Sequence, residues 1–518
     1  MKDLLPPALA TGLEKALSAD DCPDWLRLVI SMLMTFMDSL YQQARANTEL
    51  LSKLVTENEE LRAENDKLRK APFKPKSERH ASSSGEGKSK LAGAEKESGE
   101  PKEPRTGPPA LDGAPLKEQI ITHPVPPEAL HCPLCGGRSF VAMPPEDAIE
   151  YELIVENLTR LIHRRQKMAC TCGGHIVTAP CPERVTEGGR FGRFLHAWVI
   201  TRRCMDGIPI NRMGDILRQN GTPMATSTLN DLFHAGTETL RVLHTVLKNK
   251  VQLAPVVHAD ETPHRVFAPE KCETGFLWVF TSHDDVLMIH SENRSGETPA
   301  EILGDSTGFL IVDGYTGYNK VVETKGRRRQ GCLVHARRKF VEALANHPVE
   351  ARWMIGHIAL LYAVESQIKR DKQQGTDTHR MVRDQFCRQI TDNMRAWLDE
   401  QLLTVRPKSL LGKAVCYMHK QWPRLTLFLD HVELPMDNNP AERELRRPVI
   451  GRKTAMFARN HESAERYAIG YSLVMTCRKI GVDPIQYLAW VLPKVQGYNH
   501  KKLDDLLPHA FKRQELVA

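Results

Sequence analysis

Five short runs follow one another between residues 254 and 321: APVVHADE, GFLWVFTS, VLMIHSE, ETPAEILGD and GFLIVDGYTGYNKV. Four of them are apolar or alternating over the length of a strand, and ETPAEILGD has helical spacing. Three strands, a helix and a fourth strand predict a mixed sheet over this stretch. Asp260 lies in the first strand and Asp313 closes the fourth. A carboxylate near the interior of a sheet is costly unless it is paired, protonated or bound to a metal. The run therefore marks a site as well as a fold.

This element order is that of a ribonuclease-H-like sheet, in which the first and fourth strands are neighbours. Asp260 and Asp313 would then meet. Adjacent carboxylates repel unless a divalent cation sits between them. Mg2+, or Mn2+ in its place, suits all-oxygen ligands, and two such ions can align an in-line attack on a phosphodiester. A third acid is expected on a later helix. In LPMDNNPAERELRRPVIGRKTAMF, residues 437–439 suit a helix cap and Pro440 a first turn, which puts Glu442 in the first turns of a helix. Glu444, two residues on, faces elsewhere. The expected metal-binding catalytic set is therefore Asp260, Asp313 and Glu442. Glu261 points to the opposite sheet face from Asp260 and is expected to be a supporting acid.

Basic residues cluster at GRRRQ, HARRK, ERELRRP and GRK. Arg337, Arg338 and Lys339, with Arg443, Arg446, Arg447, Arg452 and Lys453, are the candidate contacts to DNA phosphates. Between Asp313 and Glu442 lie 129 positions, far more than one helix needs. Residues 346–432 read as an all-helical insertion whose Trp353, Trp397 and Trp422 are expected in its core. It splits the catalytic α/β core into residues 251–345 and 433–497, followed by a tail over 498–518.

Upstream, residues 1–70 carry a seven-residue spacing, Leu40, Asn47, Leu54, Leu61 and Leu68, with Leu51, Asn58 and Asn65 interleaved. This predicts a leucine-zipper-like coiled coil and hence a homodimer or higher oligomer. Residues 71–118 are rich in Pro, Gly, Ser and charge and read as a disordered linker. HCPLCGG and MACTCGG in residues 119–185 present Cys132, Cys135, Cys170 and Cys172 from Gly-bearing turns, the pattern of a zinc ribbon. The second knuckle is a tight Cys-x-Cys, so Cys181 or His175 is an alternative ligand. Residues 186–250 turn helical. NRMGDILRQNGTPMATSTLNDLF breaks at Asn220-Gly221, with Thr226 or Ser227 placed to cap a second helix, which suits a helix-turn-helix or a plain helical bundle. The whole chain is multidomain α+β.

Seventy-one basic against 64 acidic residues leave +7, too mild a balance to establish nucleic-acid binding by composition. Twelve cysteines in 518 residues fit a reducing compartment with one structural Zn2+ better than a disulfide framework. The run LVISMLMTFM is too short to span a bilayer, and no secretory signal is visible, so the expected location is the cytoplasm, with no membrane partner.

HADETP, VDGYTGY, CLVHARRKF and DNNPAERELRRPVIGRKTAMFARNHESAERYAIGYSLVMTCRKIGVDP resemble the transposases of the bacterial insertion-sequence family sixty-six, over roughly residues 40 to 510. The resemblance implies an Asp-Asp-Glu transposase of a transposable element that binds terminal inverted repeats and performs metal-dependent cleavage and strand transfer. It implies Asp260, Asp313 and Glu442 as the catalytic triad, and Cys132, Cys135, Cys170 and Cys172 as zinc ligands. His335 matches a histidine of that family near the active site. Partners would be double-stranded DNA and accessory proteins of the same element. Two rivals remain: a DNA-binding regulator that has lost catalysis, and a tyrosine recombinase, suggested by the His335-x-x-Arg338 spacing but without a matching upstream arginine motif.

Overall fold

A computed structural model describes residues 117–154, 157–268, 271–324 and 326–515. All lie within one compact unit, Lys102–Ala518. The expected coiled coil over 1–70 and nearly all of the expected linker over 71–118 fall outside the described residues. Two sheets and a large set of helices make the chain mixed α+β.

The first sheet contains β1 (Lys117–His123), β2 (Phe140–Ile154), β3 (Asn157–Cys170) and β4 (Ile176–Thr178). Strand β3 is its centre: β2 runs antiparallel along one edge, and β1 (parallel) and then β4 (antiparallel) share the other. Pro144 and Pro145 have no N–H to give a ladder, and the β2 register slips between Met143 and Glu146 where they stand.

Four helices follow: α1 (Arg193–Cys204), α2 (Ile210–Gln219), α3 (Thr226–Thr239) and α4 (Arg241–Leu253). The α2–α3 pair breaks at the expected Asn220-Gly221 position, but the expected cap is corrected. Helix α3 begins at Thr226 itself, after an extended Ala225 that makes no side-chain cap bond. Thr226 and Ser227 are already helical, so neither hydroxyl can take the cap role.

The second sheet holds β5 (Val256–Val266), β6 (Glu273–Thr281), β7 (Val286–Ser291), β8 (Gly308–Ile311) and β9 (Arg327–Gln330), in the order β7-β6-β5-β8-β9. Helices α5 (Glu297–Leu303) and α6 (Asn319–Thr324) lie in its connections, and α7 (Leu333–Ala343) follows. Strand β6 runs antiparallel to both β5 and β7, while β8 and β9 run parallel to β5. First and fourth strands are thus paired, Val257 opposite Leu310. The fifth strand was not foreseen. Its sequence is RRRQ, which reads as a basic surface cluster, yet Arg327 and Arg329 are buried. Arg327 donates to the carbonyls of Gln252, Ala254 and Phe309 and to Ser306 Oγ, so its N–H groups are satisfied by the sheet's own loops.

The insertion comprises α8 (Pro348–Arg370), α9 (Asp377–Val382), a π-helical turn at Arg383–Cys387, α10 (Arg388–Thr404) and α11 (Leu410–Leu425). It forms its own core with Leu333, Ala336 and Phe340 of α7. Trp353 and Trp397 stack at 4.9 Å between ring centroids, and with Trp422 they pack partly buried against this core.

The chain then returns through α12 (Asn439–Thr454), α13 (His461–Ile480), α14 (Pro484–Val495) and α15 (Pro508–Glu515). Helix α13 covers the exposed edge of the sheet. Ser472 and Thr476 accept the amides of Met288 and Val286 in β7, which removes an open strand edge. The expected tail is not loose: Leu503, Leu506, Leu507 and Phe511 are buried in the same core as α1 and α13. Among the described residues, no helix is long and apolar enough to cross a membrane.

Candidate active site

Strand β5 brings Asp260 to the middle of the sheet, and the loop after β8 brings Asp313 beside it. That loop is fixed from below. Asp313 Oδ1 accepts the amide of Tyr315, and the buried Arg329 of β9 donates to the carbonyls of Asp313 and Tyr315 and to Asn319 Oδ1. Gly314 lies so close under the insertion that a Cβ there would stand 2.7 Å from the ring of Tyr417 in α11.

Helix α12 is pinned to β5 at both ends. At its start the fully buried Asn438 donates to the carbonyl of Ala259 at 2.7 Å and faces His258 Nδ1 at 3.2 Å, so the cap residue is tied to the position before Asp260. Asp437 Oδ1 accepts the amide of Asn439, as expected of a capping carboxylate, while its other oxygen takes the Tyr362 hydroxyl. At the far end Arg452 donates to Thr262 Oγ1 and to the Pro263 carbonyl, and Ala458 pairs with the backbone of Arg265 and Phe267. Glu442 in the first turn is thereby held over the strand that carries Asp260. Glu444 turns away and forms a buried ion pair with Arg478.

Charge crowding records the result. The Asp260 carboxyl is pushed up to about 7, by burial first, then by the charge of Glu261 and, more weakly, by Asp313 and Glu442; the Glu261 amide only partly offsets them. Glu261 is the supporting acid expected: its carboxylate takes the Tyr318 hydroxyl at 2.5 Å and Arg294 at 2.5 Å, and its side chain is almost fully buried. Oε1 of Glu442 is buried and has no hydrogen-bond partner. A cluster of partly buried carboxylates that raise one another's cost of ionisation, with one orphaned oxygen, fits a divalent cation of the oxygen-preferring kind.

His335, in the first turn of α7, faces Glu442 at 3.7 Å between Nδ1 and Oε1, and Cys332 lies beside both. Arg337 and Arg338 on α7, and Arg443, Arg446, Arg447 and Lys453 on α12, are exposed. Lys339 stands over the Tyr417 ring at 4.9 Å. Arg452 is engaged with β5, and Arg447 donates to the Met205 carbonyl. Arg294 and Arg329 were missed by sequence reasoning, whereas Asn438 was foreseen within the cap and stands at the N-cap position of α12 as expected. The two arginines carried no local signal, because their partners come from other elements, Glu261 for Arg294 and the Asp313 loop for Arg329.

At the far end of the first sheet, the two cysteine knuckles of the expected ribbon meet. Cys132 and Cys172 sulfurs are 3.5 Å apart and those of Cys135 and Cys170 3.6 Å, and all four lie within 4.8 Å of one another. Tetrahedral zinc with bonds of about 2.3 Å sets sulfurs about 3.8 Å apart, so the donor set fits. Gly136 and Gly173 take positive φ at the two turns, where a side chain would be strained. Burial works against ionising Cys132, but the amides of Cys135 and Leu134 and the neighbouring cysteines hold its thiol down, to about 6. Cys181 is exposed and does not join the four, nor does His175, whose ring packs against Phe140.

Residues 188–466 match the family described as Transposase IS66 family, and residues 472–509 match the IS66 C-terminal element. The class is therefore that of the transposases. Within it, the chain belongs to the IS66 family, whose match spans more than half its length. Among curated relatives, a Sinorhizobium fredii protein named "Uncharacterized protein y4hP" is 27% identical over 424 residues, covering 77% of this chain and 75% of its own. A second from that organism, "Uncharacterized protein y4jD", is 27% identical over 415 residues, covering 76% and 80%. Of solved structures, the catalytic domain of Mos1 mariner transposase aligns at 12% identity over 37% of this chain and 90% of its own, with a TM-score of 0.11. The Mos1 transposase paired-end complex with left transposon end aligns at 9% identity over 47% and 79%, with a TM-score of 0.13. Overlays this loose carry no structural argument.

Proposed function

We propose that the protein is an Asp-Asp-Glu transposase with a ribonuclease-H-like core. It binds the terminal inverted repeats of its element, hydrolyses the phosphodiester at the element's ends to free 3′-hydroxyls, and directs them at target DNA. The observation that carries this reading is the pinning of α12 to β5, which brings Glu442 toward Asp260 and Asp313 from 129 positions beyond the second acid.

Asp260, Asp313 and Glu442 would hold two Mg2+ or Mn2+ ions. Bound there, such ions activate the attacking oxygen and stabilise the leaving one. Glu261, held by Arg294 and Tyr318, keeps β5 and the Asp313 loop in register. The exposed arginines of α7 and α12, together with Lys339 and Lys453, would grip phosphates on either side of the acids. Cys132, Cys135, Cys170 and Cys172 would hold one structural Zn2+, and the α2–α3 pair would add DNA contacts. The zipper expected in residues 1–70 would make the working form at least a dimer, with accessory proteins of the same element as further partners and the cytoplasm as its location.

The test is incubation of purified protein with Mg2+ or Mn2+ on DNA carrying candidate ends. Wild type should nick at the ends, and Asp260→Asn should bind the same DNA without cutting it. Equal cutting by both proteins would refute the assignment. Binding without any metal-dependent cutting by wild type would favour the regulator.

A further inference from the structure

We propose that Cys332, His335 and Glu442 form a second transition-metal site, which takes Zn2+ and in doing so withdraws Glu442 from the catalytic acids.

The three donor atoms lie within 4.8 Å of one another. Nδ1 of His335 and Oε1 of Glu442 are 3.7 Å apart, and both are buried without a hydrogen-bond partner. Two orphaned atoms that face each other at this spacing leave a place for a shared ligand. Tetrahedral zinc, with bonds of about 2.0 Å to nitrogen and oxygen and 2.3 Å to sulfur, spaces a nitrogen–oxygen pair about 3.3 Å apart and a pair with sulfur about 3.5 Å, so the His335–Glu442 pair closes by a few tenths of an ångström on binding. The third donor, Cys332, is buried beside them.

The ribbon supplies an internal comparison. In CPLC the Cys132 sulfur receives the amides of Leu134 and Cys135, two and three residues on, which is how a knuckle stabilises a metal thiolate. In CLVH the Cys332 sulfur receives the amides of Val334 and His335 at the same two offsets, and that of Asn438 as well, at 3.3 Å, but here burial outweighs them and pushes the thiol up to about 11. The local geometry therefore repeats, with a histidine in place of the second cysteine and Glu442 as the third ligand, and the ion itself has to supply the charge that holds the thiolate. Three protein ligands leave the fourth tetrahedral position to water.

The ligand set selects the ion. Magnesium wants octahedral oxygen and avoids thiolate, whereas zinc accepts sulfur, nitrogen and oxygen together. As zinc enters, the Cys332 thiol gives its proton to solvent and the sulfur takes the metal, with no change of oxidation state. Glu442 cannot serve zinc and the Asp260–Asp313 pair through the same oxygen. Zinc at this site should therefore inhibit Mg2+-dependent cleavage. The binding half stands on the geometry alone; the inhibitory half rests on Glu442 being a catalytic acid.

Co2+ serves as the probe, added to full-length protein whose ribbon already carries zinc. Wild type should take up one further equivalent per chain that carries the visible bands of a tetrahedral site and a thiolate-to-cobalt charge-transfer band, which cobalt held by the all-oxygen acids does not give. Cys332→Ser and His335→Ala should each weaken this uptake by more than the roughly 10- to 100-fold that loss of an outer partner costs. Cys135→Ser, which alters only the ribbon, should keep the second set of bands. Wild type without a second equivalent, or both variants binding as wild type does, would overturn the site. A second arm compares nicking with and without added Zn2+ within each protein. Zinc should depress wild type about tenfold or more and Cys332→Ser far less. Equal zinc sensitivity in the two proteins would overturn the inhibitory half. Should wild type not nick with Mg2+ at all, the transposase reading fails, and the cobalt bands still decide the site.

Discussion

Asp260 carries an electrostatic cost that a metal is suited to relieve, and the cost is measurable without DNA. Folding pushes its carboxyl up to about 7, chiefly through burial and the adjacent Glu261. In the unfolded chain it ionises near 4. The folded state therefore binds the extra proton between those values. The stability this group contributes is full below about pH 4 and is lost as pH rises through about 7. Asparagine has no charge to bury. Without divalent ions, Asp260→Asn should match wild type at pH 4 and exceed it at pH 8 by on the order of 2 kcal/mol, the full shift being discounted for the water that reaches a partly exposed carboxylate. Added Mg2+ should raise the Tm of wild type at pH 8 and that of the variant much less. Thermal melts at the two pH values, with and without Mg2+, check this. A gap that fails to widen between pH 4 and pH 8 would show that the acids are not crowded as described.

The insertion returns the chain to α12 along a path secured by Arg383 in the π-helical turn. Its guanidinium pairs with both oxygens of Glu365 on α8 and donates to the carbonyls of Phe428, His431 and Leu434, in the stretch that leads to Asn438. A fully buried guanidinium with every partner in place is hard to replace. Arg383→Ala should cost about 3–5 kcal/mol in urea unfolding, because Glu365 and three carbonyls lose their donor. Arg383→Lys should recover only part of this, since an ammonium cannot bridge a carboxylate bidentately. In both variants Mg2+-dependent nicking should fall more than end binding. None of this was legible beforehand. Apolar alternation revealed β5 to β8 because their burial is written in side-chain polarity. Strand β9 hid behind RRRQ because its buried arginines are satisfied by carbonyls contributed elsewhere. Asp437 and Pro440 announced the start of α12, but no local pattern could show that Asn438 reaches the carbonyl of Ala259, 179 positions away.

At the scale of the whole molecule, the first sheet joins the helical core at the end of β2 and the start of β3, where Tyr151 and Leu158 are buried in the main core together with Val185, and this determines what zinc removal should do. Glu152, near the end of β2, accepts the amides of Phe194 and Leu195 and so caps α1 from 42 and 43 residues away, where a carboxylate also meets the favourable end of the helix dipole. Tyr151 adds two backbone bonds, to Arg190 and Gly192. The knuckles at the opposite end of β2 and β3 have ladder and turn hydrogen bonds, but over 131–143 and 166–178 the only buried side chains are Cys132 and Cys170. Chelating the zinc should therefore strip amide protection from residues 131–143 and 166–178, since metal binding there is folding free energy. Protection at 193–204 should persist, because Leu195, Val199 and Ile200 of α1 remain buried in the main core. Hydrogen exchange with and without chelator reads both regions in one experiment. Unchanged protection in the knuckles would mean that the cysteine cluster does not depend on a metal. Loss that spread through α1 would mean that ribbon and core unfold as a unit, and the Glu152 joint would then be a coupling between them rather than a boundary.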